Sequence, residues 1–507
     1  MLSYIEKLKD KIIYGGRMMS ANIRVYLNEK IGRINPNIYG HFAEHLGRCI
    51  YEGVWVGTNS SIPNTNGIRN DVIDALKMMK PPVIRWPGGC YADDYHWQNG
   101  IGPREKRPRT VNVHWGQVID TNEFGTHEFI EFCRLVGAEP YICGNVGSGS
   151  PDEMRNWVEY CNFSGDSTLA RQRAENGHPE PFKVKYWGVG NENWGCGGNF
   201  APEDYAIEYK RFSTFLFDFY GAPLYLIACG PSGNDTNWTH RFFEKLGRYR
   251  RIHGFSAHYY CGTAGTSTEY TVDQWYQLIH RSSLMENLII QQRAIMDGYD
   301  PNRNIGLIVD EWGTWHPPAP GQIPQFLWQQ NTLRDALIAG LTLDIFNRHA
   351  DKVVMANIAQ TINVLQAVIL TEEEKMLITP TGYIYCMYAQ HQGATSLRVA
   401  FEAEDISVGN SRLFGLAGSA SLKDNNLFLT VVNPHADMPV ETTISIYDGR
   451  IKSAKAETLT HSDIHAHNTF ESPNTLTPIS TNISAEGSKI DYVFPPASVT
   501  AISASLD

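Results

Sequence analysis

Between residues 37 and 360 short apolar runs alternate with longer stretches of helical period, and that alternation constrains the fold more than any other feature of the chain. The apolar runs lie at 37–42, 82–87, 140–146, 184–190, 225–229, 254–260, 305–310 and 353–360. Several are continuously apolar rather than alternating, as strands buried on both faces must be. Helix-period segments separate them at 70–79, 126–135, 151–160, 202–220, 238–246, 273–296 and 331–347. Ser150-Pro151, followed by Asp152 and Glu153, has the form of a helix start, with a capping hydroxyl, a proline at the first position and acidic residues in the first turn. Eight strands each followed by a helical or long connecting segment predict a closed parallel (β/α)8 barrel. A doubly wound sheet would want a glycine-rich phosphate loop after its first strand, and none is present. Gly188-x-Gly190 is too short for one and reads instead as close packing of the fourth strand.

Beyond about residue 385 the pattern changes. The stretches 427–432, 442–446, 489–494 and 498–502 alternate or are β-branched, with Asn, Pro, Gly and Ser between them. The fold class is therefore α/β, a (β/α)8 TIM barrel over 36–384, with an all-β C-terminal sandwich module over 385–507. The stretch 22–27 is also strand-like, and residues 20–35 are expected to add a strand to that module. Residues 1–19 read as a leader- or tag-like segment with charges every few positions and no apolar core, so no signal peptide is expected.

Composition removes some partners. A net charge of −11 argues against nucleic acid, whose phosphates would be repelled. No run of 18 apolar residues exists to span a membrane. The nine cysteines lie far apart, form no CxxC pair and are odd in number, a pattern that suits a reducing compartment, so the expected location is cytoplasmic.

In a parallel barrel the chemistry sits where strands end. The strand ends read His41-Phe42-Ala43-Glu44-His45, Arg85-Trp86-Pro87-Gly88-Gly89-Cys90, Asn191-Glu192-Asn193-Trp194, His258-Tyr259-Tyr260, Asp310-Glu311-Trp312 and Ala359-Gln360. Two glutamates at the ends of strands four and seven face each other across such a mouth. That is the pair a retaining glycosidase needs: Glu192 to protonate the leaving oxygen and Glu311 to attack the anomeric carbon. One acidic residue after a strand is ordinarily a cap or a surface charge; two at these strands, with Asn before the first and His-x-Tyr on strand six, are specific. Asn191 is placed to hydrogen-bond the sugar 2-hydroxyl and Tyr260 to hold Glu311 ionised, with Tyr259 as the alternative one residue away.

The segments IYGHFAEHLGR, RWPGGC, GVGNENWG, SAHYY, DEWGTW and MANIAQTINVLQA resemble the α-L-arabinofuranosidases of glycoside hydrolase family 51, its bacterial intracellular members above all. The resemblance runs nearly unbroken from about Asn37 to Tyr385. It implies retaining, exo-acting release of terminal L-arabinofuranose from arabinoxylan, arabinan or their oligosaccharides. No cofactor or metal is implied, and the assembly would be a homo-oligomer, a hexamer. It also implies Glu44, Asn191, Tyr260 and Gln360 as furanose contacts, with Trp97 and Trp315 shaping the entrance. Cys90 stands where relatives carry Asn; a thiol is a poor hydrogen-bond partner, so its backbone is the expected contact.

Two other readings compete. The clan also contains glucanases and xylosidases, which differ in the sugar and not in the carboxylate pair. His41-x-x-Glu44-His45 has the spacing of a zinc-peptidase motif, but that motif needs a helix, and a strand-like lead-in and Gly47 flank it here. His461, His465 and His467 lie in a polar stretch and read as a solvated loop.

Overall fold

The computed structural model describes residues 19–507 apart from 220 and 250, so the leader-like reading of 1–19 lies outside the described residues except for Met19, which opens a strand. After an N-terminal strand, β1 (Met19–Arg33), eight strands close a parallel barrel in chain order: β2 (Gly40–Phe42), β3 (Val83–Trp86), β4 (Glu139–Gly144), β5 (Tyr186–Val189), β6 (Tyr225–Ala228), β7 (Gly254–Tyr260), β8 (Gly306–Gly313) and β9 (Val353–Ala359). Closure comes from β9 against β2, with Asn357 opposite Gly40. Every apolar run named above overlaps one of these strands.

Alternation of side chains along each strand divides the barrel core in two. Val83, Tyr141, Tyr186, Ile227, Ile308 and Met355 point inward and form an apolar plug. Trp86, Ile142 and Trp187, on the other face, join the larger core beneath the helices. Two residues beyond Val83 and Ile308, on the inward face, stand Arg85 and Asp310, so buried charge lies directly above the apolar plug.

Local hydrogen bonding explains where the elements depart from their sequence pattern. The first apolar run begins as a 3-10 turn, Pro36–Tyr39, because Pro36 presets its first position and the Asn35 side chain accepts from the Asn37 amide. The run 273–296 is two helices, Val272–Ser283 and Met285–Tyr299. At the break Ser282 and Ser283 turn their hydroxyls back onto the carbonyls of Ile279 and His280. Ser213 and Thr214 do the same to Tyr209 and Lys210, where the helix Pro202–Ser213 stops short of its predicted end.

The C-terminal module is one nine-stranded sheet. It is built from β1 and from β10 (Thr395–Glu402), β11 (Ala417–Lys423), β12 (Asn426–Asn433), β13 (Val440–Tyr447), β14 (Ile451–Thr460), β15 (Ile479–Ile483), β16 (Lys489–Phe494) and β17 (Ser498–Leu506), in the order β15-β14-β17-β12-β11-β10-β1-β13-β16. Strands near both ends of that order, β14 and β16, send Ala456 and Ile490 into the same apolar core, so the sheet rolls until its halves face each other. β1 lies between β10, antiparallel with Asn22 opposite Glu402, and β13, parallel with Asn22 opposite Thr443. Module and barrel share the helix Leu333–Arg348, which is buried nearly all round, as a helix packed on two layers must be. Its Asp344 accepts from Ser419 of β11 at 2.7 Å, and burial raises its pKa to about 6. The predicted boundary at 384/385 falls inside a further helix, Pro380–Tyr388.

Candidate active site

Glu192 follows β5 on a turn that only glycine can start. Gly190 has φ +86°, and a side chain there would strike the Asn193 amide. The buried carboxylate of Asp93 holds this turn and its neighbour, accepting from the backbone amides of Val146 and Gly147 at 2.8 Å each and of Asn191 at 3.1 Å. Burial pushes Asp93 up to about 7 despite those bonds.

Glu311 lies within β8, immediately after Asp310. Strict alternation would send the two carboxylates to opposite faces, but register shifts in the pairing of β8 with β7 and β9 mark a bulge here, and both turn into the mouth. Glu311 is 5% exposed. Arg85 donates to its Oε1 at 2.7 Å, Tyr260 donates its hydroxyl to Oε2 at 2.8 Å, and His258 Nδ1 stands 3.4 Å from Oε2. The paired glycines after β3 make room: a side chain on Gly89 would press on the carboxylates of both Glu311 and Glu44.

His258 joins the two halves. Its Nδ1 lies 2.8 Å from Glu192 Oε1 and its Nε2 lies 2.9 Å from Asp310. Burial works against charge on the ring, but Glu311 and Asp310 outweigh it and raise its pKa to about 10. Burial pushes Glu311 above the usual carboxylate range; His258 and Arg85 limit that rise, and Glu192 adds to it. Asp310 sits below the usual range, since Arg85 and His258 overcome the cost of burial. One oxygen of Glu192, one of Glu311 and a His258 nitrogen lie within 4.8 Å of one another. Arg85 and His258 stand against Asp310, Glu311 and Glu192, and this pairing is how so much charge is tolerated below the surface.

Glu44 is held beside this cluster by Trp115 Nε1 at 2.9 Å, Gln360 Nε2 at 3.0 Å and the Tyr91 amide at 3.1 Å. Burial first, and the charge of Glu311 second, raise it to about 7. Behind it the buried pair His45–Asp120, at 2.7 Å, is tied to the hydroxyls of Tyr51 and Tyr91. Asn191 receives the Arg85 guanidinium on its Oδ1, and its amide nitrogen lies 4.0 Å from the Cys196 sulfur. Tyr260 stacks edge-on against Trp315 at 4.9 Å, and Trp315, 37% exposed, stands at the rim.

Three expectations change. Trp97 is not at the entrance: it is 1% exposed, stacks on Trp157 and donates to the Glu153 carbonyl. Trp115, from the loop of the hairpin Thr110–Asn112 and Val118–Asp120, reaches the pocket instead. Nothing local marks Trp115; its place comes from Asn112, which accepts from its amide and donates to the His45 carbonyl. Cys90 carries no thiol, because it is joined to Cys196 in a disulfide across the loops after β3 and β5. The alternative Tyr259 turns away and donates to the Arg281 carbonyl. Arg85, Asp310 and His258 stood in the strand-end motifs, but their part emerges only once the barrel closes.

The zinc-peptidase spacing does not form a site. His41 is buried against Tyr385 and pushed down to about 3, while His45 is committed to Asp120. His465 and His467 are bonded to backbone carbonyls.

Comparison with known proteins adds independent weight. Residues 75–276 match the family model described as alpha-L-arabinofuranosidase 1 domain, and 310–498 match alpha-L-arabinofuranosidase C-terminal domain. An intracellular exo-alpha-L-arabinofuranosidase of Bacteroides ovatus is 46% identical over 90% of each chain. The crystal structure of a GH51 arabinofuranosidase from Xanthomonas axonopodis pv. citri superposes with a TM-score of 0.94 at 40% identity, covering 96% of this chain and 100% of that one. An arabinose complex of the alpha-L-arabinofuranosidase from Thermotoga maritima gives 0.86 at 32% identity, with the same coverage.

Proposed function

The chain belongs to the α-L-arabinofuranosidases of glycoside hydrolase family 51, and from that premise we propose that Glu311 and Glu192 carry out a retaining double displacement at the mouth of its barrel. It is an exo-acting glycoside hydrolase. The observation that supports the mechanism most is the separation of the two carboxylates, whose nearest oxygens lie within 4.8 Å. Retaining pairs stand about 5–5.5 Å apart, whereas inverting pairs need about 6.5–9.5 Å to admit a water.

Arg85 and Tyr260 both donate to Glu311, so its charge is fixed and aimed before substrate arrives. His258 occupies Oε1 of Glu192, which leaves Oε2 to carry the proton. Glu311 attacks the anomeric carbon as Glu192 gives that proton to the departing oxygen, forming an arabinosyl ester. Esterification removes one negative charge and leaves His258 and Arg85 in excess, which favours ionised Glu192 as the base for the incoming water. Water then displaces Glu311 with a second inversion. The Asn191 amide nitrogen faces the sugar 2-hydroxyl, while Glu44, held by Trp115 and Gln360, takes a further hydroxyl.

The substrate is terminal L-arabinofuranose on arabinoxylan, arabinan or their oligosaccharides. The barrel of 36–384 supplies the chemistry, and the module of 385–507 with the strand from 20–35 buttresses it through the helix Leu333–Arg348. A cytoplasmic location follows the intracellular naming of the Bacteroides ovatus relative, and a hexamer follows the family resemblance. No helix among the described residues is long and apolar enough to cross a membrane.

The test is hydrolysis of an aryl α-L-arabinofuranoside by wild type, Glu192→Ala and Glu311→Ala, with and without azide. Azide on the β-linked ester of Glu192→Ala inverts a second time and yields the α-azide. Direct attack in Glu311→Ala inverts once and yields the β-azide. The opposite pattern exchanges the two roles, and an inert wild type overturns the assignment.

A further inference from the structure

Cys90 and Cys196 are half-buried at the pocket wall, whereas the remaining seven cysteines are free and all but Cys386 are buried. Their disulfide joins positions 106 residues apart with a Cα–Cα distance of 5.5 Å. The Cys196 sulfur lies 3.7 Å from Glu192 Oε2; a disulfide sulfur has no proton to donate, so this is a contact and not a hydrogen bond. The two sulfurs and one Glu192 oxygen all lie within 4.8 Å of one another.

A bond of this kind, exposed at a pocket in a chain whose relative is intracellular, meets reductants that keep thiols reduced. A thiol reductant would open it in two steps: one thiolate attacks a sulfur to form a mixed disulfide, and a second releases the reductant as its own disulfide. Two electrons enter, and Cys90 and Cys196 each leave as a thiol. What remains is a pair of soft ligands and a carboxylate converging on one point, the donor set and number that a tetrahedral divalent ion takes while keeping its fourth position open. The charges also suit it. Two thiolates and a carboxylate around a doubly charged ion sum to −1, with the His258 ring 2.8 Å from Glu192.

We propose that reduction of the Cys90–Cys196 disulfide creates a site for a thiophilic divalent cation of the zinc class, ligated by both thiolates and Glu192. Binding takes Glu192 out of service as the acid and base, so the same bridge that lines the pocket in the oxidised enzyme gates inhibition by metal in the reduced one. The inhibition rests on the role given to Glu192 above; the binding does not. Metal capture releases the two thiol protons, so it strengthens as pH rises.

The experiment uses the full chain, fully reduced with a phosphine or left oxidised, the two states distinguished by thiol titration after denaturation: nine thiols against seven. Cobalt(II) and zinc(II) chlorides are the probes. Reduced enzyme should bind one cobalt per chain with a thiolate-to-cobalt absorption band, and the oxidised enzyme should show none. Zinc should inhibit aryl arabinofuranoside hydrolysis about 100-fold more tightly in the reduced state and be reversed by chelator. Cys196→Ser, reduced, should lose the band, and Glu192→Gln should weaken cobalt binding about tenfold while keeping it. Equal zinc sensitivity in both redox states overturns the proposal, as does a band that survives Cys196→Ser or affinity untouched by Glu192→Gln. The cobalt band does not depend on turnover, so an enzyme inert toward arabinofuranosides would sink the functional reading and leave this one to its own result.

Discussion

The mouth of the barrel and the core of the rolled sheet solve opposite problems. Arg85, Asp310, Glu311, Glu44 and Asp93 are all buried at the mouth, along with His258. Between residues 395 and 507 no Asp, Glu, Lys or Arg is buried, and the enclosed core is aliphatic and aromatic, from Ile23 and Leu429 to Phe494. Burying a charge is costly unless partners surround it, and the cost at the mouth fits the attacking role proposed for Glu311, since such a carboxylate works best in a fixed, water-poor setting. The sheet bears no such demand, so its interior is mostly apolar, and the polar groups it encloses are neutral hydroxyls such as Thr458, bonded to Tyr492 and Thr500. Function at the mouth and stability in the sheet should therefore be separable by mutation.

The largest effect is expected from Glu311→Ala, which should cut kcat by about 10⁴–10⁶-fold, because no other group can form the ester. Its melting temperature should fall, because Arg85 and His258 keep only one of their two buried anions, but the fold should persist; a cooperative loss of fold would break the contrast. Leu429→Ala tests the other side. It should cost about 2–5 kcal/mol in chemical denaturation and leave kcat per folded molecule unchanged. A fall in kcat would show that the sheet reaches into the chemistry.

Glu44→Gln probes the mouth by pH. The folded pKa of Glu44, raised to about 7 from 4.5, means that the folded state favours its protonated form. Its stability contribution is complete below 4.5 and is lost as pH rises through 7. Wild type and Glu44→Gln should therefore match in stability near pH 4 and diverge by about 1–3 kcal/mol in favour of the variant at pH 8, while arabinofuranoside turnover falls. Parallel stability curves would mean that Glu44 is not held against its charge. The smallest change is expected at Arg24→Gln, which removes the exposed ion pair with Glu402 joining β1 to β10 and should shift stability by no more than about 1 kcal/mol.

How much of the site was legible follows from distance along the chain. That Glu192 and Glu311 would meet was readable because a strand end is a local feature and a parallel barrel gathers its strand ends at one rim. Tyr260 was readable to within one residue; only the bond from Tyr259 to the Arg281 carbonyl decides which ring faces inward. Trp97 was misplaced because a tryptophan after a strand reads alike whether it packs on Trp157 or opens onto a pocket. Its replacement, Trp115, depends on a hairpin whose anchor is the carbonyl of His45, 67 residues from Asn112. Cys90 and Cys196 carried no spacing signal at a separation of 106 residues.

By itself the sequence determined the barrel, the all-β module and the strand ends on which Glu192 and Glu311 stand, since strand period, helix period and capping act over a few residues and write themselves into the order of side chains. Tertiary structure alone decided that His258 bridges Glu192 and Asp310, that a bulge turns Asp310 and Glu311 to one side, and that two distant cysteines meet beside Glu192. Those contacts join residues from different strands and loops. They exist only because closure of the barrel brings the strand ends together and burial makes each unpaired charge too costly to leave alone.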